Sequence, residues 1–340
     1  MKKSITNEFN PNLNEIKLLT DITKDSYALL GLDNTFCVFK SINDILYLIY
    51  TNIYCSIISY NLIENKKVNE IKKAHTEDIT NFRYYLDKNN KWDLILSISG
   101  TNNNIKIWNI NTFECILNIQ NVNNTGILKS SCFLYNNNTI FIITSNYNDD
   151  ENNVKEAIKA FDLNGNKIKE INDSNDDIIY ITSYYDNNLS TNYIISGNNG
   201  YIISYNFNDN SIYMKYVDGK NYYDHSSIII IESEEIIKMI ESCGDGLIRI
   251  WNFHIGEILN RIYVSNAYLY GIHLFNYENI IVGCRDRKIR IVDIKNGLIK
   301  KEIEGHNKEI LTIKKLVHLQ FGECLITQGK YDDQIKLWKI

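Results

Sequence analysis

Short stretches of alternating apolar and polar residues recur along the chain, and each contains a large apolar residue, usually aromatic, near its end. The clearest copy, residues 243–253, reads C-G-D-G-L-I-R-I-W-N-F, and similar copies lie at residues 102–110 and 332–340. Because successive side chains of a β-strand point to opposite faces, alternation with period two predicts strands rather than helices. The Gly-Asp-Gly that opens the clearest copy predicts a tight turn with positive φ. Each copy is therefore predicted to be a turn followed by a strand.

Alignment of these three copies reveals four weaker ones, which gives seven repeats. The equivalent large residues are Tyr60, Trp108, Phe161, Tyr205, Trp251, Val292 and Trp338. Subtracting successive residue numbers gives spacings of 48, 53, 44, 46, 41 and 46 residues. Six of the seven residues are followed by Asn or Asp. A period of about 40–45 residues that ends in such a dipeptide is typical of a four-stranded propeller blade. The longest spacing predicts an expanded loop at residues 145–155.

These motifs resemble the WD-repeat family of β-propellers, and the resemblance covers nearly the whole chain. The Gly-His that opens such repeats stands at Gly305-His306 and, in degraded form, at Ala74-His75. The family's turn Asp, six residues before the Trp, is matched by Asp245, Asp286 and Asp332, and more loosely by Asn102 and Asn199; Tyr54 and Lys155 replace it in the first and third repeats. The resemblance implies an all-β, seven-bladed WD-repeat propeller.

The resemblance also implies that an N-terminal strand closes the ring by completing the last blade. Residues 15–20 and 27–32 are the two candidates for this strand. Such closure removes an open sheet edge, which would otherwise favour aggregation. We expect a flexible lead at residues 1–13, followed by a single propeller at residues 14–340.

Composition and charge argue against several classes of protein. The formal net charge of −5, the pI near 5.8 and the lack of a long Lys/Arg run disfavour nucleic acid as a partner. No apolar run approaches the ~18–20 residues of a membrane span, and residues 1–10 lack the apolar core of a signal peptide. The seven cysteines show no C-x-x-C spacing, which predicts buried free thiols in a reducing compartment. We therefore expect a cytoplasmic or nuclear protein.

The last repeat combines a histidine, a hydroxyl and an acid: His306, Thr327 and Asp332. Such a set could form a hydrolase triad, but the resemblance implies a structural hydrogen-bond chain that reaches the indole of Trp338. The same structural role is expected for Asp245 with Trp251. His225 opens the fifth repeat, and a structural role is favoured over a ligand-facing one. No spacing fits a metal site, so we expect no catalytic residue, cofactor or metal.

Candidate partner contacts lie in loops that are expected at one end of the propeller, here called the upper face. In the family the residue just before the turn Asp faces upward, which carries over to Arg285, Tyr331, Thr101 and Asn198. Tyrosines in the loops that enter blades five and six are further candidates, because tyrosine and arginine often anchor interfaces; they are Tyr222, Tyr223, Tyr268 and Tyr270. The acidic cluster of the expanded loop is either a solvated loop or a contact for a basic partner: Asp149, Asp150 and Glu151.

The favoured function is a non-catalytic scaffold or adaptor that binds protein or peptide partners through the upper face and rim, as a monomeric propeller in a hetero-complex. An enzyme or small-molecule binder using the central channel is one alternative, although no convergent catalytic set stands out. A substrate receptor of a ubiquitin ligase is another. Such receptors often carry an Arg two residues after the Trp-Asp pair, where this chain has Asn111, Asn164 and His254.

Overall fold

The computed structural model describes residues 17–23, 26–28, 34–122, 127–145, 156–174, 178–219, 223–233 and 235–340. These residues form 28 β-strands and no helix. All the strands belong to seven antiparallel sheets of four strands each. The architecture is therefore all-β, as the alternating pattern predicts.

The strands follow one another along the chain, sheet by sheet. The first strand of the described residues is β1 (Lys17–Asp21). The first sheet contains β2 (Cys37–Lys40), β3 (Leu46–Thr51), β4 (Ile57–Asn61) and β5 (Lys66–Ile71). The second contains β6 (Ile79–Asp87), β7 (Trp92–Ser99), β8 (Asn104–Asn109) and β9 (Glu114–Ile119). The third contains β10 (Ser131–Asn136), β11 (Thr139–Thr144), β12 (Glu156–Asp162) and β13 (Lys167–Ser174).

The remaining four sheets repeat the same plan. The fourth contains β14 (Ile178–Asp186), β15 (Thr191–Asn198), β16 (Tyr201–Asn206) and β17 (Ile212–Val217). The fifth contains β18 (His225–Glu232), β19 (Ile237–Cys243), β20 (Leu247–Asn252) and β21 (Ile258–Tyr263). The sixth contains β22 (Leu269–Asn276), β23 (Asn279–Cys284), β24 (Lys288–Asp293) and β25 (Ile299–Glu304). The seventh contains β26 (Ile310–His318), β27 (Gly322–Gly329) and β28 (Ile335–Lys339), with β1 as its fourth strand.

The pairing of β1 with β28 joins the two ends of the described chain in one sheet. Leu18 lies opposite Trp338 and Thr20 lies opposite Leu337, with a register shift between the two pairs. The prediction that an N-terminal strand completes the last blade is confirmed. Of the two candidate segments, residues 15–20 overlap β1. The second candidate lies partly outside the described residues.

Apolar clusters pack each sheet against the next and complete the ring. Between the fifth and sixth sheets, Ile240 and Ile248 pack against Ile280 and Val282. Corresponding clusters join every other neighbouring pair, including the seventh sheet and the first. Each fully buried branched side chain contributes roughly 1.5–3 kcal/mol relative to an exposed one. The core is therefore seven connected layers between sheets, which makes the molecule a seven-bladed propeller.

The seven predicted repeat residues all lie in the third strands of their sheets, and the last repeat shows what holds such a residue in place. The indole Nε1 of Trp338 donates to Oγ1 of Thr327 at 2.8 Å, and this hydroxyl lies 2.8 Å from Nε2 of His306. Nδ1 of His306 lies 2.7 Å from Asp332. All four residues are buried. The predicted structural chain is confirmed, and it ties the turn before β28 to the core.

Two other sheets contain altered versions of this chain. In the second sheet, Trp108 donates to Ser97 at 2.9 Å and Ser97 lies 2.8 Å from Nε2 of His75. In the fifth sheet, a carboxylate replaces the hydroxyl: Trp251 donates to Glu241 at 3.1 Å, and Glu241 also bonds Nδ1 of His225. Sequence reasoning favoured a structural role for His225, and the structure confirms that role.

The expected coupling of Asp245 to Trp251 is wrong in its detail. Asp245 bonds the guanidinium of Arg249 instead, and Arg249 also donates to Asp218 at 2.7 Å. Arg249 is 1% exposed, so its charge requires acidic partners close by. The acid of this turn therefore neutralises a buried arginine, while Glu241 takes over the contact with the indole.

The cysteines fit the prediction of free thiols. All seven are unpaired, and five of them are buried: Cys37, Cys132, Cys243, Cys284 and Cys324. Burial raises the pKa of the Cys132 thiol to about 12, so this thiol stays protonated at neutral pH. Cys115 is exposed and Cys55 is partly buried, which departs from the expected pattern.

Candidate partner-binding face

The upper face consists of the turns between the second and third strands of each sheet and the connections that enter each sheet. Both lie at the same end of the ring because the four strands of each sheet run up and down in order. Two of its residues are held by backbone contacts with neighbouring connections. The backbone N–H of Arg285 donates to the carbonyl of Tyr268 at 2.9 Å, and that of Tyr331 donates to the carbonyl of Ala28 at 2.9 Å. These contacts fix the turns of the sixth and seventh sheets.

Glu309, in the connection that enters the seventh sheet, brings three side chains together. Its carboxylate lies 3.1 Å from Nε of Arg285 and 3.6 Å from Nζ of Lys330, and it accepts a 2.8 Å hydrogen bond from Tyr270. Burial and this hydrogen bond raise the pKa of the Tyr270 phenol above its ordinary value. Tyr270 therefore remains a neutral donor, and Glu309 fixes two cations at the surface.

Four tyrosines extend this cluster across the upper face. The rings of Tyr268 and Tyr270 lie 4.8 Å apart, and those of Tyr27 and Tyr331 lie 6.4 Å apart in an edge arrangement. Nζ of Lys330 lies 5.5 Å from the centre of the Tyr331 ring. Tyr331 is 52% exposed, whereas Tyr270 is buried. We call this set the tyrosine–glutamate strip: Tyr27, Tyr268, Tyr270, Arg285, Glu309, Lys330 and Tyr331.

The hydroxyl of Tyr268 leads from the strip toward the fifth sheet. It donates to Asp224 at 3.0 Å. Burial, together with the negative charge of Asp224, raises the pKa of Tyr268. The neighbouring residue, Tyr223, is 51% exposed. The strip and Asp224 thus form a row of partly buried polar side chains. Exposed tyrosines, Tyr223 and Tyr331, lie at its two ends.

The structure brings together some of the predicted contact residues and separates others. Arg285, Tyr331 and Tyr268 belong to the strip, and Tyr223 lies beside it. Thr101 is exposed, but it lies on the turn of the second sheet. Asn198 does not face upward into solvent, because its side chain is completely buried. The other predicted contacts lie outside the described residues: Tyr222, Asp149, Asp150 and Glu151.

Three strip residues escaped sequence reasoning: Tyr27, Glu309 and Lys330. Glu309 follows Gly305-His306 within the connection that opens the seventh repeat, so its position on the upper face was available from the repeat. Tyr27 was not, because its place depends on which N-terminal segment closes the ring. Lys330 precedes the predicted Tyr331 in the same turn.

Neither a metal site nor a membrane-spanning helix is found in the described part of the chain. Its histidine, cysteine and acidic side chains form no group of three or more that could hold a metal ion. None of its segments is a helix long and apolar enough to cross a membrane. The strip itself offers exposed aromatic surface and cations held by one carboxylate, an arrangement suited to binding.

Comparison with known proteins adds one distant relative. No family model matches the chain. A segment of 102 residues is 24% identical to the U3 small nucleolar RNA-associated protein 21 homolog of Schizosaccharomyces pombe. The match covers 30% of this chain and 11% of that protein, so the chain spans a small part of the relative's length. The ring of seven four-stranded sheets, the repeat residue on each third strand and the His–Thr–Trp chain of the last blade make the protein a seven-bladed β-propeller with WD-type repeats.

Proposed function

We propose that this protein is a non-catalytic scaffold or adaptor that binds a protein or peptide partner through its upper face and helps to assemble a multiprotein complex. The observation that carries the proposal is the tyrosine–glutamate strip, where Glu309 holds Arg285 and Lys330 beside the exposed ring of Tyr331. Tyrosine and arginine are enriched among the residues that dominate binding energy. Because Glu309 already holds these cations, ordering them on binding costs less entropy than ordering free side chains.

The distant relative supports the same general role. It is named for association with a U3 small nucleolar RNA, which favours a nuclear location and assembly with other macromolecules. The net charge of −5 still favours protein over nucleic acid as the direct contact. We therefore propose a single propeller copy that joins a nuclear complex through protein contacts.

The proposal is tested by crosslinking and affinity purification of the tagged protein from its own cells. The wild type is compared with the double variant Arg285→Glu/Tyr331→Ala, which reverses one charge of the strip and removes its most exposed ring. Loss of two such anchors should weaken binding by about 2 kcal/mol or more, or about thirtyfold in Kd. Co-purifying proteins should therefore be crosslinked near the strip in the wild type and depleted in the variant.

A matched control uses a tyrosine at the opposite end of the ring. Tyr277 is 83% exposed in the turn between β22 and β23, and Tyr277→Ala should keep the partners. Circular dichroism and thermal melting establish that both variants are folded. Partners that survive the strip variant but disappear with Tyr277→Ala would place the interface on the opposite face and refute the proposal. Partners lost after ribonuclease treatment would show that RNA mediates the contact.

A further inference from the structure

The end of the ring opposite the upper face, here called the lower face, contains a cavity of about 740 Å³. It lies at the lower halves of β6, β10 and β14, the innermost strands of the second, third and fourth sheets. Its lining combines one arginine with tyrosines and asparagines, including Arg83, Tyr85, Tyr135, Tyr185, Asn137 and Asn138. This volume falls within the usual range for ligand sites, about 300–1,000 Å³.

Arg83 differs from the other arginines that are enclosed by the fold. Arg249 forms ion pairs with three carboxylates and Arg290 with two. Nη2 of Arg83 is buried, yet no residue in the described part of the chain accepts a hydrogen bond from it. The guanidinium carbon lies 5.5 Å from the centre of the Tyr180 ring, which offers an aromatic face but no hydrogen-bond acceptor in its plane. A buried charged donor without an acceptor is costly, and a ligand that supplies one removes that cost.

The charges of the innermost strands favour an anionic ligand. Arg83 lies within β6, whereas the acids of the innermost strands stand only at the last positions of those strands: Asp87, Asp186 and Glu232. Each of these acids already accepts a hydrogen bond from its own turn or from a tyrosine. None of the described residues that line the cavity is acidic. The Arg83 guanidinium is therefore open to an acceptor from outside the chain.

The rim of the cavity presents aromatic surface and amide groups to solvent. The Tyr85 ring packs 5.4 Å from Phe133 and 6.3 Å from Tyr135. Tyr135 is 40% exposed and Tyr185 is 46% exposed. Asn137 lies at the exposed tip of the turn between β10 and β11. Aromatic walls and amide donors suit an extended polypeptide, which buries apolar side chains and forms backbone hydrogen bonds.

We propose that this cavity binds an acidic peptide segment of a partner protein, with an Asp or Glu carboxylate bound by the Arg83 guanidinium and neighbouring residues packed on Tyr135 and Tyr185. The carboxylate supplies the acceptor that Nη2 lacks, and a planar guanidinium binds a carboxylate through two parallel hydrogen bonds. This site is separate from the tyrosine–glutamate strip, so the protein has a contact surface at each end of the ring.

The test is a selection of random peptides on the purified propeller, repeated with Arg83→Gln and with Arg287→Gln. Arg287 is an exposed arginine of the upper face and serves as the matched control. The wild type and Arg287→Gln should enrich peptides that contain Asp or Glu. Fluorescence polarisation with the best labelled peptide should show at least tenfold weaker binding to Arg83→Gln, and weaker binding to Tyr185→Ala.

Thermal melting separates this binding role from a structural one. Because Arg83 has no ion pair among the described residues, Arg83→Gln should melt at or above the wild-type temperature. A selection without acidic enrichment, or equal affinity of the best peptide for wild type and Arg83→Gln, would overturn the proposal. So would Arg83-dependent binding of inorganic phosphate or ATP with no peptide enriched, since the ligand would then be a small phosphate compound.

Discussion

Acid should destabilise this propeller through His75, the histidine of the second blade. Nε2 of His75 lies 2.8 Å from Ser97, whose oxygen already accepts the indole N–H of Trp108. Nε2 of His75 is the only other partner of the Ser97 hydroxyl among the described residues, so we assign the Ser97 proton to this contact. Nε2 is then the acceptor, and the imidazole proton lies on Nδ1. That Nδ1 is buried and has no hydrogen-bond partner among the described residues. Protonation of Nε2 would break the chain and place a charge in the core.

The magnitude follows from the pKa. Burial, together with the nearby charge of Lys106, lowers the pKa of His75 to about 3. Because the folded pKa is depressed, stability that is present above the unfolded pKa is lost as the pH falls toward the folded value. With about 1.4 kcal/mol for each pKa unit and an unfolded pKa of about 6.5, His75 alone should cost about 2 kcal/mol between about pH 7.5 and about pH 5.

The assay is urea unfolding of the wild type and His75→Gln at both pH values. Gln can place its side-chain oxygen where Nε2 accepts from Ser97, and it does not titrate. The wild type should therefore lose about 2 kcal/mol more than the variant on acidification. His306, in the last blade, remains in both proteins and contributes equally to both. A wild-type-to-variant difference that does not change with pH, or an NMR titration of His75 near pH 6.5, would refute the reasoning.

Two further substitutions test the hydrogen-bond chain of the last blade and the turn before β20. Thr327→Val leaves the Trp338 indole and His306 without their shared partner and should lower the free energy of unfolding by about 2–4 kcal/mol, whereas Thr327→Ser should cost about 1 kcal/mol or less, both measured by urea unfolding. Gly246 has φ 79°, and a Cβ there would lie 1.7 Å from the carbonyl oxygen of Ser265. Gly246→Ala should therefore cost more than about 3 kcal/mol in the same assay. Gly219→Ala, with φ 70° and no atom within 4 Å of the added Cβ, should cost only about 1–2 kcal/mol; equal losses at the two glycines would contradict the clash.

The strands and the ring were predictable because each blade repeats the same alternating pattern, which ends in a similar dipeptide. Alternation predicted the third strands, and the repeated dipeptide aligned them well enough to place even Val292, which carries no aromatic ring. The closing strand was predictable as one of two segments, because a sheet edge left unpaired is unfavourable. The local sequence pattern does not distinguish residues 15–20 from residues 27–32 as the closing strand. The pairing of Leu18 with Trp338 spans the whole chain and depends on the closed ring.

The contacts of the upper face were predictable only one residue at a time. The repeat placed Arg285 and Tyr331 on the same end of the ring, since both precede a turn Asp. It could not show that Glu309 lies within 3.1 Å of Arg285, because that contact joins the turn of one blade to the connection entering the next. Such a patch is formed by side chains from neighbouring loops, and the repeat pattern does not relate those loops to one another.

Arg83 and Arg249 show what is needed to predict from sequence which buried arginine has an ion-pair partner. Both stand in alternating strands, but the turn acid Asp245 lies four residues before Arg249, whereas Ile79 lies four residues before Arg83. In the structure Arg249 lies opposite Glu241 in the neighbouring strand, whereas Arg83 lies opposite Leu96. The turn acid and the strand register together place Arg249 in an internal ion-pair network. Arg83 has neither, and its Nη2 is left without an acceptor among the described residues. The register follows once the repeats are aligned, so cross-strand partners of each charged strand residue could be read from the alignment. In a propeller, a charged strand residue whose cross-strand partners are apolar is the one to test for a ligand.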